Sequence, residues 1–316
     1  MAVSDLVFKV AERTHVGRVR TMNEDDVWHG QTPIGFFYIV ADGMGGHAAG
    51  EVASNLVVTL LMERAAHSNP NDDPVAIMKD AMFRANMRIF RKAAMNPELY
   101  GMGSTAVSIL VRDGLAYVSH VGDSRAYLMR DRKLHRLTTD HTLVQMLVNS
   151  GIMSQEEAEK HPRSHILNQA VGCHPDAVVD ILEKPVELTG GDVLMLCSDG
   201  LSGLVSDEEI SLVLQTEENP DLAADRLVQM ALAAGGTDNV TVQVIKTIGP
   251  KEKVPAPPKP RRETIPPEDL EDTKRIILGE LEPDTIPLPN FPVLIAGSLS
   301  GLLLMIVVAY LVAKLL

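Results

Sequence analysis

Aspartates stand at the ends of apolar runs at four places in this 316-residue chain. They are Asp42 after residues 36–40, Asp123 after 116–121, Asp199 after 193–197 and Asp238 before 240–245. A single aspartate at a strand end is usually a turn former, because its side chain accepts backbone N–H bonds. Carboxylates that a fold brings together repel one another unless a cation compensates their charge. The pattern therefore predicts a cation site if the four runs end at one place.

Oxygen ligands of this kind favour hard ions such as Mg²⁺ or Mn²⁺ over zinc. Two such ions about 4 Å apart can polarise phosphoryl oxygens and convert a shared water into a hydroxide nucleophile near neutral pH. The chemistry that these residues predict is phosphate ester hydrolysis without a covalent enzyme intermediate.

The elements that must position these residues are strands and helices of ordinary length. Residues 240–245 alternate apolar and polar side chains, which predicts a half-buried strand. Residues 116–121 and 126–129 flank Gly122-Asp123-Ser124, which predicts a β-hairpin. Helical spacing of apolar residues over 52–61 and again over 78–89 predicts two consecutive helices with no strand between them.

Composition excludes several functional classes. A net charge of −13 and a pI near 5.2 argue against nucleic-acid binding, which needs basic clusters. The two cysteines, Cys173 and Cys197, form no CxxC pair, so neither a zinc knuckle nor a disulfide framework is predicted. A reduced, cytosolic setting fits the main domain, and residues 1–10 show no secretory signal.

The chain divides into three parts by composition. Residues 1–247 are globular in character, 248–290 form a proline-rich linker, and 291–316 are predicted as a transmembrane helix, with no charged residue from 291 to 313. Gly297 and Gly301 form a GxxxG pair, a weak signal for a homodimer within the membrane. We expect a single-pass protein of the cell membrane with its main domain on the cytoplasmic side, an orientation that the flanking charges favour only slightly.

Several short motifs occur together in a fixed order. They are Arg20-Thr-Met-Asn-Glu24-Asp25, Val40-Ala-Asp42-Gly43-Met-Gly-Gly46-His47-Ala-Ala-Gly-Glu51, Gly101-Met-Gly-Ser-Thr105-Ala, His120-Val-Gly-Asp123-Ser-Arg125, Cys197-Ser-Asp199-Gly200 and Gly236-Thr-Asp238-Asn239. In this combination residues 6–247 resemble the type 2C metal-dependent protein phosphatases, bacterial branch. The resemblance ends at the linker.

The resemblance implies an α/β fold, a four-layer α-β-β-α sandwich with two central antiparallel sheets. It implies hydrolysis of phosphoserine and phosphothreonine by a metal-bridging hydroxide, with two tightly bound Mn²⁺ or Mg²⁺ ions and a weaker third. Phosphorylated proteins are the implied partners, Hanks-type kinases and their substrates among them.

The resemblance also implies roles for single residues. Asp42 would bridge the two metals, the Gly43 carbonyl would serve one metal, and Asp199 with Asp238 would serve the other. Glu24 and Asp25 would bind directly or through water.

Further roles lie at the edge of this site. Arg20 would clamp the substrate phosphate, for which a guanidinium fork is suited. Asp123 with Asp199 would hold the third ion. Ser164 would add a ligand from residues 142–165, which resemble the family's flap beside the active site.

One departure concerns the general acid. Animal members have a histidine where this chain has Met44, and that histidine is a proposed proton donor. His47 and His161 are candidates here, and a metal-bound water is the alternative.

Other interpretations fit less well. Gly43-x-Gly45-x-x-Ala48 resembles a dinucleotide-binding turn, but the strand that a βαβ unit requires does not follow it. The chain has no Walker loop and no GxSxG elbow. A catalytically inactive phosphatase-like membrane scaffold is the remaining alternative, and the intact Asp42, Asp199 and Asp238 favour activity over it.

Overall fold

The computed structural model describes residues 6–45, 49–262 and 264. The strands within these residues are β1 Val7–His15, β2 Asp25–Thr32, β3 Gly35–Met44, β4 Gly103–Ser104, β5 Ala106–Arg112, β6 Leu115–Val121, β7 Arg125–Arg130, β8 Lys133–Arg136, β9 Asp180–Ile181, β10 Val186–Glu187, β11 Val193–Cys197 and β12 Val240–Ile248. The helices are α1 Ala49–Ala66, α2 Pro74–Met95, α3 Leu143–Asn149, α4 Gln155–Glu159, α5 Asp199–Ser202, α6 Asp207–Thr216 and α7 Pro220–Ala233, with a short 3-10 turn at Pro97–Leu99.

The strands form two antiparallel sheets. One has five strands in the order β1-β12-β11-β7-β8. The other has seven, with the path β10-β6-β5-β3-β2, β4 beside β3 and β9 beside β6. The predicted α/β fold with two antiparallel sheets is confirmed.

Side-chain alternation along β3 and β11 shows how the layers stack. On β3, Phe37 and Ile39 pack in a core with α1 and α2, whereas Tyr38 joins a core shared by the two sheets. On β11, Met195 packs with α6 and α7, and Leu194 faces the shared core. Successive strand residues point to opposite faces, so each strand contributes to two cores. The layers are therefore helices, sheet, sheet and helices, as the resemblance implied.

The two consecutive helices are also confirmed. Asp73 caps the start of α2 by accepting hydrogen bonds from the Val75 and Ala76 backbone N–H groups at 3.4 and 3.2 Å. Pro74 occupies the first turn, where its missing N–H costs nothing.

The predicted hairpin around Asp123 was wrong. Strand β6 belongs to the seven-stranded sheet and β7 to the five-stranded sheet, so the turn between them passes from one sheet to the other. Gly122, with φ of +98°, provides the backbone conformation for this crossing. Apolar alternation identifies a strand but not its partner, and for that reason the sequence suggested the simpler pairing.

The C-terminal predictions fall mostly outside the described residues. The proposed span at 291–316, with Gly297 and Gly301, lies there. Within the described parts of the chain, none of the helices combines the length and apolar character that crossing a membrane requires. Residues 249–262 follow β12 and make hydrogen bonds back to the sheets. The division into three parts stays a prediction.

Candidate metal centre

Carboxylates from both sheets meet at one edge of the sandwich. Asp25 on β2 lies opposite Asp42 on β3 in the strand register. Asp199 begins α5 directly after β11, Asp238 lies just before β12, and Asp123 sits in the crossing between β6 and β7. The carboxyl groups of Asp42, Asp123 and Asp199 lie close enough to interact electrostatically with one another. The residues that the motifs singled out are therefore gathered.

Burial and mutual repulsion raise the pKa of five acidic groups at this edge. Burial is the larger cause for Asp42, Asp123 and Asp199, and neighbouring carboxylates add to it. Burial also raises the pKa of Asp25, to about 7, and that of Glu24. Such a set is costly to hold together as anions without positive charge. The donor set therefore fits hard divalent cations.

Two buried oxygen atoms carry this fit further. Glu24 Oε1 and Asp25 Oδ1 are buried and have no hydrogen-bond partner among the described residues. The other Asp25 oxygen accepts a hydrogen bond from Ser198 Oγ at 2.8 Å, and Ser198 Oγ in turn accepts from Thr241 N at 3.0 Å. One oxygen of Asp25 is thus held by the protein and the other is left for a ligand, an arrangement that suits a metal site.

Glycines allow Glu24 to approach this edge. Gly43 N donates to Glu24 O at 3.0 Å. A Cβ atom on Gly50 would lie 2.5 Å from Glu24 Oε1, and one on Gly43 would lie 2.0 Å from Gly50 O. The absence of side chains at Gly43 and Gly50 leaves room for the glutamate.

Thr105 holds the backbone of Asp42 from both sides. Its Oγ1 accepts from Asp42 N at 3.0 Å, and its N–H donates to Asp42 O at 2.8 Å. Thr105 Oγ1 also lies 2.7 Å from the hydroxyl oxygen of Ser124, the residue that follows Asp123. Thr105 was part of a motif, but no role was predicted for it.

Asn239 is a second supporting residue that the sequence reasoning missed. Its Nδ2 donates to Val16 O at 2.9 Å and to Met22 O at 2.8 Å, and its Oδ1 accepts from Glu24 N at 2.7 Å. These bonds fix the loop before β2 against the start of β12. The Asp-Asn pair in the motif was the available signal, since asparagine can both donate and accept.

Arg20 lies at the rim of the carboxylate edge. Its Nη2 donates to Asp238 Oδ2 at 2.7 Å, with 49% of the arginine side chain exposed. Desolvation opposes its charge, but the attraction of Asp238 outweighs this and raises the pKa of Arg20. The guanidinium is therefore charged, beside the carboxylates and open to solvent.

Comparisons with known proteins agree with this geometry. The family model for protein phosphatase 2C matches residues 13–145. The serine/threonine phosphatase stp of Listeria welshimeri is 37% identical over 242 residues, which cover 74% of this chain and 94% of that protein. The chain belongs to the protein phosphatase 2C family.

A longer family member and a solved structure show the same likeness. The serine/threonine protein phosphatase PstP of Mycobacterium tuberculosis is 42% identical over 251 residues, 78% of this chain. The match spans only about half of that relative, 46% of its length. The crystal structure of the catalytic domain of PstP in complex with 2 manganese ions is similar, with a TM-score of 0.67 and 40% sequence identity. The match covers 77% of this chain and 100% of that chain.

Ser164 lies close to the edge of the sandwich where the carboxylates meet. It lines a cleft of about 460 Å³ together with Asp123 and Asp199. Helices α3 and α4, within the flap-like residues 142–165, form one wall, and the α5–α6 segment forms another. The structure thus brings Ser164 to the cleft that the third-ion residues also line.

Of the two candidate general acids, the structure describes His161. His161 Nδ1 accepts from Arg163 N at 3.1 Å, and the His161 carbonyl accepts from Ser164 N at 3.0 Å. These bonds give His161 a local role in a turn. His47 lies outside the described residues.

A second group of titratable residues was not predicted. His120, His141 and Asp180 are buried side by side, with one potential ligand atom from each lying within 4.8 Å of the others. Burial lowers the pKa of His120 to about 4, and repulsion between the two rings when both carry a proton adds to this shift. Burial alone would raise the pKa of Asp180, but the hydrogen bond with His141 and nearby cations lower it.

Proposed function

We propose that this chain is a metal-dependent phosphatase that hydrolyses phosphoserine and phosphothreonine in other proteins. One observation carries the proposal: carboxylates from both sheets, half-buried or buried, converge beside an exposed, charged arginine. Acid groups alone would repel a phosphate dianion, so their gathering at a phosphate-binding arginine makes sense when cations lie between them. The family relationship supports the same reaction.

The ions would be Mn²⁺ or Mg²⁺, held by oxygen ligands of this chain. Asp42 would serve two tightly bound ions, Gly43 would add its carbonyl, and Asp199 and Asp238 would complete the set. Glu24 and Asp25 offer the two buried oxygens that have no partner among the described residues. The relative crystallised with 2 manganese ions supports two ions here. When bound, such ions supply Lewis-acid charge and lower the pKa of water.

A third, weaker ion would be held by fewer side chains. Asp123 and Asp199 interact electrostatically and line one cleft with Ser164. Fewer protein ligands give a weaker site, and the approach of Ser164 from the flap segment would tie this site to flap position.

Arg20 would bind the phosphate of the substrate. Its present partner is Asp238 at 2.7 Å, so substrate binding exchanges a carboxylate for a phosphate at the same fork. Since Asp238 would at that point face a cation, the exchange leaves neither group without a counter-charge. Arg20 orients the phosphate, and the raised pKa keeps it protonated throughout the working pH range.

The alternative of an inactive scaffold is not favoured. A scaffold has no need of buried oxygens that lack hydrogen-bond partners, and within the described residues Glu24 and Asp25 each have one. Hydrogen bonds from Thr105, Ser198 and Asn239 hold the acidic residues in place. Such support is expected where the acidic residues bind metal.

We further propose the location and partners that the sequence suggested. Residues 291–316 would anchor the chain in the cell membrane with the phosphatase domain in the cytoplasm. Phosphorylated proteins at that membrane, Hanks-type kinases and their substrates included, would be the substrates. Pairing of two chains through Gly297 and Gly301 would be weak.

The test is hydrolysis by the purified full chain. We expect release of phosphate from a phosphothreonine peptide and of p-nitrophenol from p-nitrophenyl phosphate with Mn²⁺, and none after excess chelator. Readdition of Mn²⁺ should restore both rates. Hydrolysis that persists in chelator, or a chain inert on both substrates with Mn²⁺, would overturn the proposed function.

A further inference from the structure

Residues 249–262, here named the strap, are bound to the phosphatase domain although their composition is that of a linker. The Pro250 carbonyl accepts hydrogen bonds from Gly190 N at 2.8 Å and Thr189 Oγ1 at 3.3 Å. The Glu252 N–H donates to Thr189 Oγ1 at 2.6 Å. The first part of the strap is therefore fixed to the loop after β10.

A buried arginine holds the middle of the strap. Arg130 Nη1 donates to Pro255 O at 2.9 Å. The same guanidinium is fixed by Asp192, with contacts of 2.9 and 2.6 Å, and by Glu187 O at 2.6 Å. The Arg130 side chain is only 8% exposed, so contacts within the domain set its position. The strap therefore binds to a guanidinium that is already held in place.

The end of the strap brings a cation to a buried carboxylate. Arg261 Nη1 lies 3.7 Å from Asp180 Oδ1, and the Asp180 side chain is 5% exposed. Asp180 Oδ1 has no hydrogen-bond partner in the described part of the chain. A nearly buried anionic oxygen of this kind needs a counter-charge, and Arg261 supplies it.

Asp180 contacts a histidine whose tautomer the backbone defines. The Gly122 N–H points at His141 Nδ1 at 3.2 Å, so Nδ1 must accept. The proton of a neutral His141 is then on Nε2, which lies 3.4 Å from Asp180 Oδ2 and donates to it. Asp180 therefore orients the ring of His141.

His141 clamps the turn that carries Asp123. Its ring accepts a hydrogen bond from Gly122 N, and its backbone N–H donates to Gly122 O at 3.0 Å. On its other side, the His141 carbonyl accepts from Asn168 N at 2.9 Å, and Thr142 caps α3 through Gln145 N at 3.2 Å. A single residue thus joins the Asp123 turn to the flap segment.

We propose that the strap positions Asp123, and through it the weak third ion, by way of Arg261, Asp180 and His141. This inference rests on the proposed function. Arg261 fixes Asp180, Asp180 fixes the His141 ring, and the ring fixes the Gly122 peptide next to Asp123. The segment that connects the domain to the proposed anchor therefore tunes the site, and its release from the domain weakens the third ion.

A transition-metal site at His120, His141 and Asp180 is the competing interpretation of the same cluster. A metal on His141 Nε2 would leave a proton on Nδ1, facing the Gly122 N–H donor at 3.2 Å. His120 Nε2 is likewise engaged, 2.8 Å from the Thr139 carbonyl. These hydrogen bonds favour a positioning network over a metal site.

The first test compares Arg261→Gln with Arg262→Gln, its exposed neighbour, in the full chain. Calorimetric titration with Mn²⁺ should show that Arg261→Gln lowers the affinity of the weakest binding step about two- to fivefold and leaves the affinities of the tight steps unchanged. The effect is small because solvent screens an ion pair whose arginine is 67% exposed. The Mn²⁺ concentration for half-maximal p-nitrophenyl phosphate hydrolysis should rise by the same factor. Equal weak-step affinities in the two variants would overturn the proposal.

The second test uses two replacements of His141 that keep different contacts. Asparagine can accept from Gly122 N in place of Nδ1 but does not reach Asp180, whereas glutamine reaches Asp180 but loses the Gly122 contact. We expect His141→Gln to weaken the third ion on the order of tenfold and His141→Asn to weaken it less. In the His141→Asn background, Arg261→Gln should have no further effect. An undiminished Arg261→Gln effect there would contradict the pathway. If the His141 variants do not fold, the Arg261 comparison decides.

Metal analysis separates the remaining outcomes. One zinc per purified chain that is lost in Asp180→Asn would establish the transition-metal interpretation and overturn the positioning network. A wild-type chain without Mn²⁺-dependent hydrolysis would refute the proposed function, whereas an active chain in which Arg261→Gln matches Arg262→Gln would refute only the role of the strap.

Discussion

At the scale of single residues, the carboxylates differ in how they are held. Asp42 and Asp25 have backbone or side-chain supports from Thr105 and Ser198. Asp123 sits in a turn whose position depends on the His141 clamp. We therefore expect the residues to differ in what their loss does to metal binding.

Asp123→Ala should separate the third ion from the tight pair. The variant keeps Asp42, Asp199 and Asp238, so two Mn²⁺ ions should still bind tightly by calorimetry. Its turnover of p-nitrophenyl phosphate should drop by about tenfold or more, and higher Mn²⁺ should restore little. If the variant has the same turnover and Mn²⁺ binding as the parent across a metal titration, Asp123 is only a turn residue.

His120 should lower the free energy of unfolding of the protein as the pH falls into the acid range. Burial lowers its pKa to about 4 from an ordinary 6.5, so between these values the unfolded chain binds a proton that the folded protein does not. Its neutral form therefore contributes stability above pH 6.5 that is lost as pH falls toward 4.

The measurement is urea unfolding of the parent and His120→Gln, whose amide can still donate to the Thr139 carbonyl. The advantage of the parent in free energy of unfolding should shrink by about 2 kcal/mol from pH 7 to pH 4.5. The pH dependence of the carboxylates is common to both proteins and cancels in the difference. Parallel curves would show that His120 is not held neutral.

At the scale of elements, the site depends on loops and strand ends fixed to each other across the two sheets. Asn239, just before β12, binds the carbonyls of Val16 and Met22 and the N–H of Glu24. These bonds hold the segment that carries Arg20 and Glu24 against the segment that carries Asp238.

Asn239→Ala should therefore weaken both fold and site. Loss of three hydrogen bonds by a residue that is 4% exposed should lower the free energy of unfolding by about 2 kcal/mol or more. Mn²⁺ affinity should fall as well, because Glu24 loses its backbone support. Chemical denaturation and metal titration measure the two effects, and Asn55→Ala on the exposed side of α1 is the control. A variant with parental stability would contradict the assigned role of Asn239.

Sequence patterns predicted the elements better than their partners. The spacing of apolar residues predicted α1, α2 and β12, because local periodicity follows the face that each element buries. It did not predict that β6 and β7 lie in different sheets. It did not predict Asn239 either, whose partner Val16 lies 223 positions away in sequence. The aspartates were found because each carries its signal in the turn beside it, whereas the role of a supporting residue lies in a distant contact.

At the scale of the whole molecule, the docked strap extends the folded domain beyond β12. Its contacts with Gly190, Arg130 and Asp180 extend to Arg261. Residues 265–290 would then be the remaining spacer to the proposed anchor, and fully extended they would reach on the order of 80 Å. Substrates at the same membrane would be met at raised effective concentration.

A chain that ends at residue 264 should test the anchor while keeping the strap. We expect the full chain to sediment with membranes and to need detergent for release, and the shortened chain to be soluble without it. Both should hydrolyse p-nitrophenyl phosphate at the same rate, and the shortened chain should work less well on a membrane-bound phosphoprotein. A full chain that fractionates without detergent would contradict the anchor, as would loss of small-substrate activity on shortening.

The claim on which all of this depends is that Asp42 and its neighbours hold the ions that hydrolysis requires. Asp42 is surrounded by other carboxylates that raise its pKa together with burial, so Asp42→Asn removes repulsion and should leave the fold stable. Loss of activity in this variant then reports on the site and not on unfolding.

The decisive measurement is phosphate release from a phosphothreonine peptide by Asp42→Asn and by the parent across one Mn²⁺ titration, with folding checked by circular dichroism. The account predicts Mn²⁺-dependent release by the parent and, at every Mn²⁺ concentration, release by the folded variant reduced by a factor of about 100 or more. Undiminished turnover by Asp42→Asn, with Mn²⁺ still required, would contradict it.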